Sequence, residues 1–331
     1  MLLALGIAGA AVVAGWSRWA LAPVSAAGAG SAAPTYFEIE KGDGFATVAR
    51  KLEARGLIRS ALALRAWVRL EALESKLKVG EYELEPGLSP PEIASILASG
   101  RVRTHAVVIP EGSRAVDIAD RLAAEGLADR EAFLAVVFDP DSAERFEVPG
   151  PTLEGYLFPD TYRFAKGLSA EEIARAMVAE FRAVYRELRR EAPTTTLSMR
   201  ELVTLASIVE KETGSPQERP LIAAVFLNRM RLGMRLETDP AVIYGIEGFD
   251  GNLRRVHLED EANPYNTYRI PGLPPGPIAS PGREAMRAVL EPAESPFLYF
   301  VSRNDGSHVF SKSYRDHARA VVEFQKRRRR H

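Results

Sequence analysis

A unit of strand, glycine turn and amphipathic helix occurs twice in this chain at an offset of 70 residues. IEKGDGFATVARKLEARGL, from Ile39 to Leu57, lies over IPEGSRAVDIADRLAAEGL, from Ile109 to Leu127. Identical residues stand at Ile39/Ile109, Gly42/Gly112, Ala49/Ala119, Leu52/Leu122, Gly56/Gly126 and Leu57/Leu127. A helix of this pattern carries an apolar face that it must bury against another element, so each copy needs partners from elsewhere in the chain. A second echo sets GEYELEPGLSPPEIASIL from Gly80 against DTYRFAKGLSAEEIARAM from Asp160. There Ser89 and Ser169 stand three residues before Glu92 and Glu172, the spacing at which serine and glutamate cap a helix start reciprocally. Strands and helices are thus interleaved, and the expected fold class is α+β.

With 331 residues, 46% hydrophobic and 26% charged, the chain has the make-up of a folded protein of about two domains. Its 43 Lys and Arg nearly balance its 44 Asp and Glu, so no global field favours nucleic acid. Cysteine is absent, which excludes disulfides, thiolate metal sites and a cysteine nucleophile.

Location is written at the N-terminus. Met1 to Ser17 carries no charged side chain and would span about 26 Å as a helix, close to the roughly 30 Å of a bilayer core. Trp16 and Trp19 flank Arg18 as interfacial residues would, and Pro23 ends the segment. A single-pass anchor is the preferred reading over a cleaved signal peptide or a buried core helix, although no Lys or Arg precedes the apolar run. Ala22 to Thr35, small and uncharged, reads as a flexible tether. The expected division is a transmembrane anchor over 1–22, a linker over 23–35, an αβ region over 36–150 and a mixed α+β catalytic domain over 151–331. The strand-glycine-helix units of the αβ region resemble LysM modules, which bind peptidoglycan glycans, and a pure scaffold role stands beside that reading.

Beyond Pro193 the pattern predicts helices from about Met199 to Thr213, Glu218 to Leu232, Ala241 to Gly245 and Gly282 to Leu290. Phe297 to Val301 should pair with Ser307 to Ser311 across Asn304-Asp305-Gly306. The terminal KRRRRH reads as a solvated tail.

In ELVTLASIVEKETG, Leu202, Leu205, Val209 and Glu212 follow one helical stripe, so a carboxylate continues an apolar face. Of the two acids here, Glu210 projects to one side, and Glu212 is the one expected to be desolvated. Desolvation raises a carboxyl pKa and makes a neutral general acid available near neutral pH. The alternative is that Glu212 only ends the helix and pairs with Arg219 or Arg229. Downstream, Tyr265, Asn266, Thr267 and Tyr268 lie among rigid proline turns in a mixture suited to a sugar-binding cleft. Asp239, before Pro240, reads first as a helix cap and second as a further acid, with Glu237 a weaker second acid. Glu154 and Asp160 either line the cleft or pin a turn, the latter being expected for Asp160. His308 and His317 form no metal-ligand motif and no metal or cofactor is expected. Ser207 lies off the stripe and no GxSxG surrounds any serine.

Five motifs, TLEGYLFPDTY from Thr152, LASIVEKET from Leu205, FLNRMRLGMRLETDPAVIYG from Phe226, YNTYRIPGLPPGPIASPG from Tyr265 and PFLYFVSRNDGSHVF from Pro296, resemble in order those of the endolytic murein transglycosylases of the MltG/YceG type. The resemblance implies a single-pass enzyme of the bacterial cytoplasmic membrane, its catalytic domain outside the cytoplasm. Such an enzyme cuts nascent peptidoglycan between N-acetylmuramic acid and N-acetylglucosamine and leaves 1,6-anhydromuramic ends. It further implies membrane-bound peptidoglycan synthases as partners, Glu212 as the catalytic acid, and a cleft formed by Asn228, Glu237, Thr238, Asp239, Tyr244, Tyr265, Asn266, Thr267 and Tyr268. A hydrolytic muramidase and a non-catalytic wall-binding scaffold are the competing functions.

Overall fold

The computed structural model describes residues 12–24, 33–192, 195–213 and 215–326. Its contacts group into two units. The first comprises Met1–Ala106, Glu125–Ala128 and Arg163–Ser169, and the second Val107–Ala124, Asp129–Tyr162 and Ala170–His331. The two copies of the strand-glycine-helix repeat therefore fall mainly in different units.

In the first unit a helix at 12–20 (α1) precedes β1 (Thr35–Ile39), α2 (Phe45–Ala54), α3 (Ala61–Leu70), β2 (Gly80–Leu84) and α4 (Pro90–Ser99). Strands β1 and β2 pair antiparallel, Phe37 opposite Tyr82 and Ile39 opposite Gly80. Period-2 alternation turns Phe37, Ile39, Tyr82 and Leu84 inward. Helix α2 supplies Phe45, Val48, Ala49 and Leu52 at three- and four-residue spacing to the same core. Ser89 and Glu92 close a capping box at the start of α4, as their spacing predicts, with Pro90 and Pro91 in its first turn. The hydroxyl of Tyr82 donates to the carbonyls of Lys78 and Leu97, which satisfies the one polar atom the ring carries into the core.

Among the described residues no helix is long and apolar enough to cross a membrane. Residues 1–11, half of the expected anchor, lie outside the described residues, as do 25–32 of the expected linker and 327–331 of the basic tail. At the end of α1 the Arg59 guanidinium lies over the Trp19 ring and donates to the Trp19 carbonyl at 2.9 Å.

Strands β3 (Thr104–Val108) and β4 (Thr161–Ala165) pair with each other. The second unit continues with α5 (Ala115–Ala124), α6 (Arg130–Phe138), α7 (Ser142–Arg145), α8 (Ala170–Glu191), α9 (Met199–Glu212), α10 (Arg219–Arg231), α11 (Asp239–Tyr244), α12 (Arg255–Glu259) and α13 (Arg283–Leu290). A hairpin of β5 (Tyr299–Ser302) and β6 (His308–Ser311) and a last helix, α14 (Tyr314–Val321), complete it. The 22 residues of α8 bury Ile173, Met177, Val178, Phe181, Val184 and Leu188 along one stripe.

Helix α9 departs from the expected pattern. Every residue from Leu202 to Val209 is buried, so it is a central helix enclosed on all sides by α10, α11 and α13 rather than an amphipathic one with a single stripe. Of the two polar side chains in this stretch, Ser207 donates to the Thr204 carbonyl and accepts from the Ile278 amide, whereas the Thr204 hydroxyl has no hydrogen-bond partner among the described residues. Ser198 and Glu201 form the capping box that starts it.

Candidate active site

Glu212 is the last residue of α9, and Thr213 turns the chain into an extended conformation at φ −143° and ψ 137°. The carboxyl meets a cavity of about 620 Å3. One wall is Glu212, Arg229, Glu237, Asp239 and Tyr268; the other comes from Phe300, Val301, Ser302, Gly306 and His308 of the hairpin and from His317, Val321 and Gln325. Glu212 is half-buried, so part of it can meet a ligand, while the protein packed around the carboxyl penalises its charge. Burial, joined by the negative charge of Asp239, pushes its pKa from 4.5 up to about 7. The Thr238 hydroxyl opposes the shift. That hydroxyl is buried and forms no well-aligned hydrogen bond, so it acts on the carboxyl as a nearby dipole rather than a tight donor.

The difference between the two neighbouring acids is pairing, not exposure. Contrary to the expectation from the stripe, Glu210 is also buried, its side chain 6% exposed. It binds the Arg219 guanidinium at 2.7 Å and accepts from the Gly282 amide at 3.0 Å. Among the described residues no Lys or Arg pairs with Glu212: Arg219 is taken by Glu210, and Arg229 by Glu237 at 3.0 Å.

The loop facing Glu212 is held by an exchange of hydrogen bonds around Thr267. The Thr238 amide donates to the Thr267 hydroxyl at 2.9 Å, that hydroxyl donates to the Thr238 carbonyl at 3.1 Å, and the Glu237 amide donates to the Thr267 carbonyl at 3.2 Å. This clasp sets the next pair, in which the Tyr268 hydroxyl donates to Asp239 Oδ1 at 2.7 Å. Asp239 was expected to cap a helix with its side chain. It is instead the first residue of α11, after Thr238, and no side-chain cap bond forms there, because its carboxylate is turned to Tyr268. Burial and the adjacent Asp239 hold the Tyr268 hydroxyl in its neutral form, well above the usual tyrosine range. Glu237 adopts φ 52°, a conformation few non-glycine residues take, at the bend that carries the chain into the clasp.

Other sequence candidates take supporting places. Asn266 is fully buried and donates to the carbonyls of His257, Leu258 and Asp260, while its own carbonyl accepts from the Tyr268 amide. Asn228 donates to the carbonyls of Ser295 and Phe297 and is not part of the Glu212 cavity wall. Tyr244 and Tyr265 meet edge to face at 4.7 Å, and Tyr244 donates to Glu154 at 3.3 Å. Glu154 accepts from the Ala115 amide at the start of α5, and burial pushes it up to about 7 as well; it does not line the cavity. Asp160 accepts from the Thr161 amide, a turn role.

Several cavity residues lie outside the expected cleft, among them Arg229, which the sequence offered only as an ion partner of Glu212, and His308 and His317, which it considered only as metal ligands. Arg229 is 7% exposed and binds the carbonyls of Arg235, Leu236 and Leu298 as well as Glu237, and its guanidinium lies 5.0 Å from the Tyr299 ring centre. His308 is held by both its amide and Nδ1 to Glu218. His317 stacks on Tyr299 at 5.3 Å, and burial, with Arg229 nearby, lowers its pKa. Arg229 is the Arg of FLNRM and His308 lies in the hairpin motif, whereas His317 stands in α14, outside all five motifs. Among the described residues no cluster of His, Asp and Glu could hold a metal ion.

The family model described as YceG-like matches residues 37–323. The chain belongs to the YceG-like family. A Bacillus subtilis protein named endolytic murein transglycosylase is 30% identical over 302 residues, covering 86% of this chain and 83% of that one. A Streptococcus pneumoniae protein of the same name is 29% identical over 319 residues, covering 86% of this chain but 57% of the longer relative. Among solved structures, a YceG-like protein of Listeria monocytogenes is similar with a TM-score of 0.60 and 32% identity, over 87% of this chain and 99% of that one. The α+β architecture described above is consistent with this YceG-like fold.

Proposed function

We propose that the chain is an endolytic peptidoglycan lytic transglycosylase, a lyase that cuts the bond between N-acetylmuramic acid and N-acetylglucosamine within nascent strands and so ends their elongation. The observation that carries this reading is the Glu212 carboxyl: open to a cavity, paired with no Lys or Arg among the described residues, and titrating near 7. A carboxyl with these properties is partly protonated at neutral pH and can act first as acid and then as base.

In the first half-reaction the protonated Glu212 gives its proton to the glycosidic oxygen as the bond to muramic C1 breaks. The resulting carboxylate then takes the proton of the muramic C6 hydroxyl, whose oxygen bonds to C1 and closes the 1,6-anhydro ring. Glu212 ends as it began, protonated, and no water is consumed. One carboxyl therefore suffices, in contrast to the paired acids of most glycoside hydrolases. Asp239 supports this cycle through its charge, which keeps the proton on Glu212, and Tyr268 holds its carboxylate in place by a hydrogen bond.

The membrane reading belongs to the same proposal. The uncharged N-terminal run holds the chain at the bacterial cytoplasmic membrane with the catalytic unit outside the cytoplasm, beside the synthases that make its substrate, and the LysM-like repeat adds contact with glycan. The test is Glu212→Gln with isolated sacculi or nascent strands. Anhydromuropeptide release stops while the variant stays folded; unchanged release refutes the assignment. Product mass separates the hydrolytic alternative, since a transglycosylase product is lighter by one water.

A further inference from the structure

Glu154 is a buried acid that the cleavage step does not use. It is 3% exposed and stands outside the Glu212 cavity wall. Burying a carboxyl costs free energy unless hydrogen bonds tie it down, and both of its ties lead to elements near the site. It accepts from the Ala115 amide at 3.0 Å, at the first residue of α5, and from the Tyr244 hydroxyl at 3.3 Å, at the last residue of α11. Arg114 and the Tyr265 hydroxyl also face it, and among the described residues no Lys or Arg pairs with it.

Helix α11 has only six residues, about 9 Å at 1.5 Å per residue, so ties at its ends rather than its own few hydrogen bonds set its position. Asp239 opens it and lines the Glu212 cavity, held there by the Tyr268 hydroxyl at 2.7 Å. At the far end the Asn263 side-chain amide donates to the Val242 carbonyl at 3.0 Å. The Tyr244 ring meets Tyr265 edge to face at 4.7 Å, and its hydroxyl reaches Glu154. A shift at this end is carried along the helix to Asp239.

We propose that Glu154 is a positioning residue of the cleavage reaction, fixing α11 through Tyr244 and so holding Asp239 beside Glu212, an inference that rests on the lytic reading above. The groups that act on the Glu212 carboxyl are Thr238 and Asp239, at the start of α11, so Glu154 works on it through geometry rather than through its own field. Without the tie, α11 shifts and the Asp239 anion weakens its hold on the Glu212 proton. Cleavage then falls at a lower pH.

The test measures kcat, KM and the pH-rate profile of the full-length chain on uncross-linked glycan strands. Tyr244→Phe and Glu154→Leu each lower kcat about fivefold, the scale of one lost hydrogen bond, leave KM in place and move the fall in rate to lower pH. Glu154→Gln retains the native kcat and profile, because its oxygen accepts from the Ala115 amide while its amide donates to the Tyr244 hydroxyl. With Asp239→Asn already present, Tyr244→Phe no longer moves the profile. A lower kcat with the profile in place is what a merely structural contact gives, and overturns the proposal. So does an equal shift with Asp239→Asn present, or a loss in Glu154→Gln equal to that in Glu154→Leu. If Glu154→Leu does not fold, by circular dichroism, Tyr244→Phe decides alone. Each of these leaves the lytic reading intact, whereas absence of cleavage by the native protein overturns both.

Discussion

Replacing Glu212 with Gln should abolish cleavage and, above neutral pH, make the protein harder to unfold. The carboxyl titrates near 7 in the folded chain and at its ordinary 4.5 once unfolded. Between those values the folded state binds more protons than the unfolded state, so this group's contribution to stability falls as pH rises through the window. Below about 4.5 both states are protonated and the group contributes no difference. At pH 5 the loss is under about 1 kcal/mol, and at pH 8 it reaches about 3 kcal/mol, from 1.36 kcal/mol per pKa unit. Gln is neutral and nearly isosteric, so it avoids that penalty. Urea unfolding of the two proteins at pH 5 and pH 8 reads the effect, and because Glu154 is present in both, its own titration cancels. The reasoning fails if the variant is no more stable than the native chain at pH 8, or if its advantage is the same at both pH values.

Three further outcomes follow from the same geometry. Cleavage should fall as pH rises above about 7, where Glu212 loses its proton; in pH-rate profiles Asp239→Asn moves that fall to lower pH by removing an anion, and Thr238→Val moves it higher. Arg229→Met leaves the carbonyls of Leu236 and Leu298 without their buried donor and should cost about 3–5 kcal/mol in urea unfolding. Thr267→Val removes the acceptor of the Thr238 amide, costs about 1–3 kcal/mol, and lowers kcat by releasing Asp239 from its place beside Glu212. An unchanged kcat in that variant would show that the clasp does not position the acid.

Local signals carried much of the architecture. Ser198 with Glu201 marks the start of α9, and Asn304 and Gly306, both at positive φ, turn the hairpin where expected. Glu212 was reachable because it stands at the end of a helix whose interior positions are apolar. The stripe argument was nonetheless too narrow. It assumed that α9 has an exposed face, and packing on all sides removes that face, so burial alone cannot rank Glu210 and Glu212. What ranks them is Arg219, seven residues past Glu212, and the amide of Gly282, a contact across 72 residues. Arg229 was equally hidden: its partners include a carbonyl 69 residues away, and no local pattern distinguishes it from the exposed Arg231 that follows. Asp239 was read as a cap because the rule for residues before proline is local, whereas its actual partner, Tyr268, lies 29 residues on.

The later copy of the duplicated unit has been conscripted. Its turn exchanges backbone bonds with residue 280, Gly112 amide to Ser280 carbonyl at 2.9 Å and Ser280 amide to Ser113 carbonyl at 2.8 Å, and Lys211 of α9 reaches the Gly112 carbonyl. Gly112 sits at φ 72°, with side-chain atoms of Lys211 and Glu210 already within ordinary contact of where a methyl would project. Two segments of similar sequence thus answer to different neighbours: the earlier one packs into the core of the first unit, whereas the later one is bonded to the helix that bears Glu212. Dissecting this protein at residue 150 would strip away the buttress of the helix that bears the acid, so the smallest autonomous catalytic piece must reach back past Gly112.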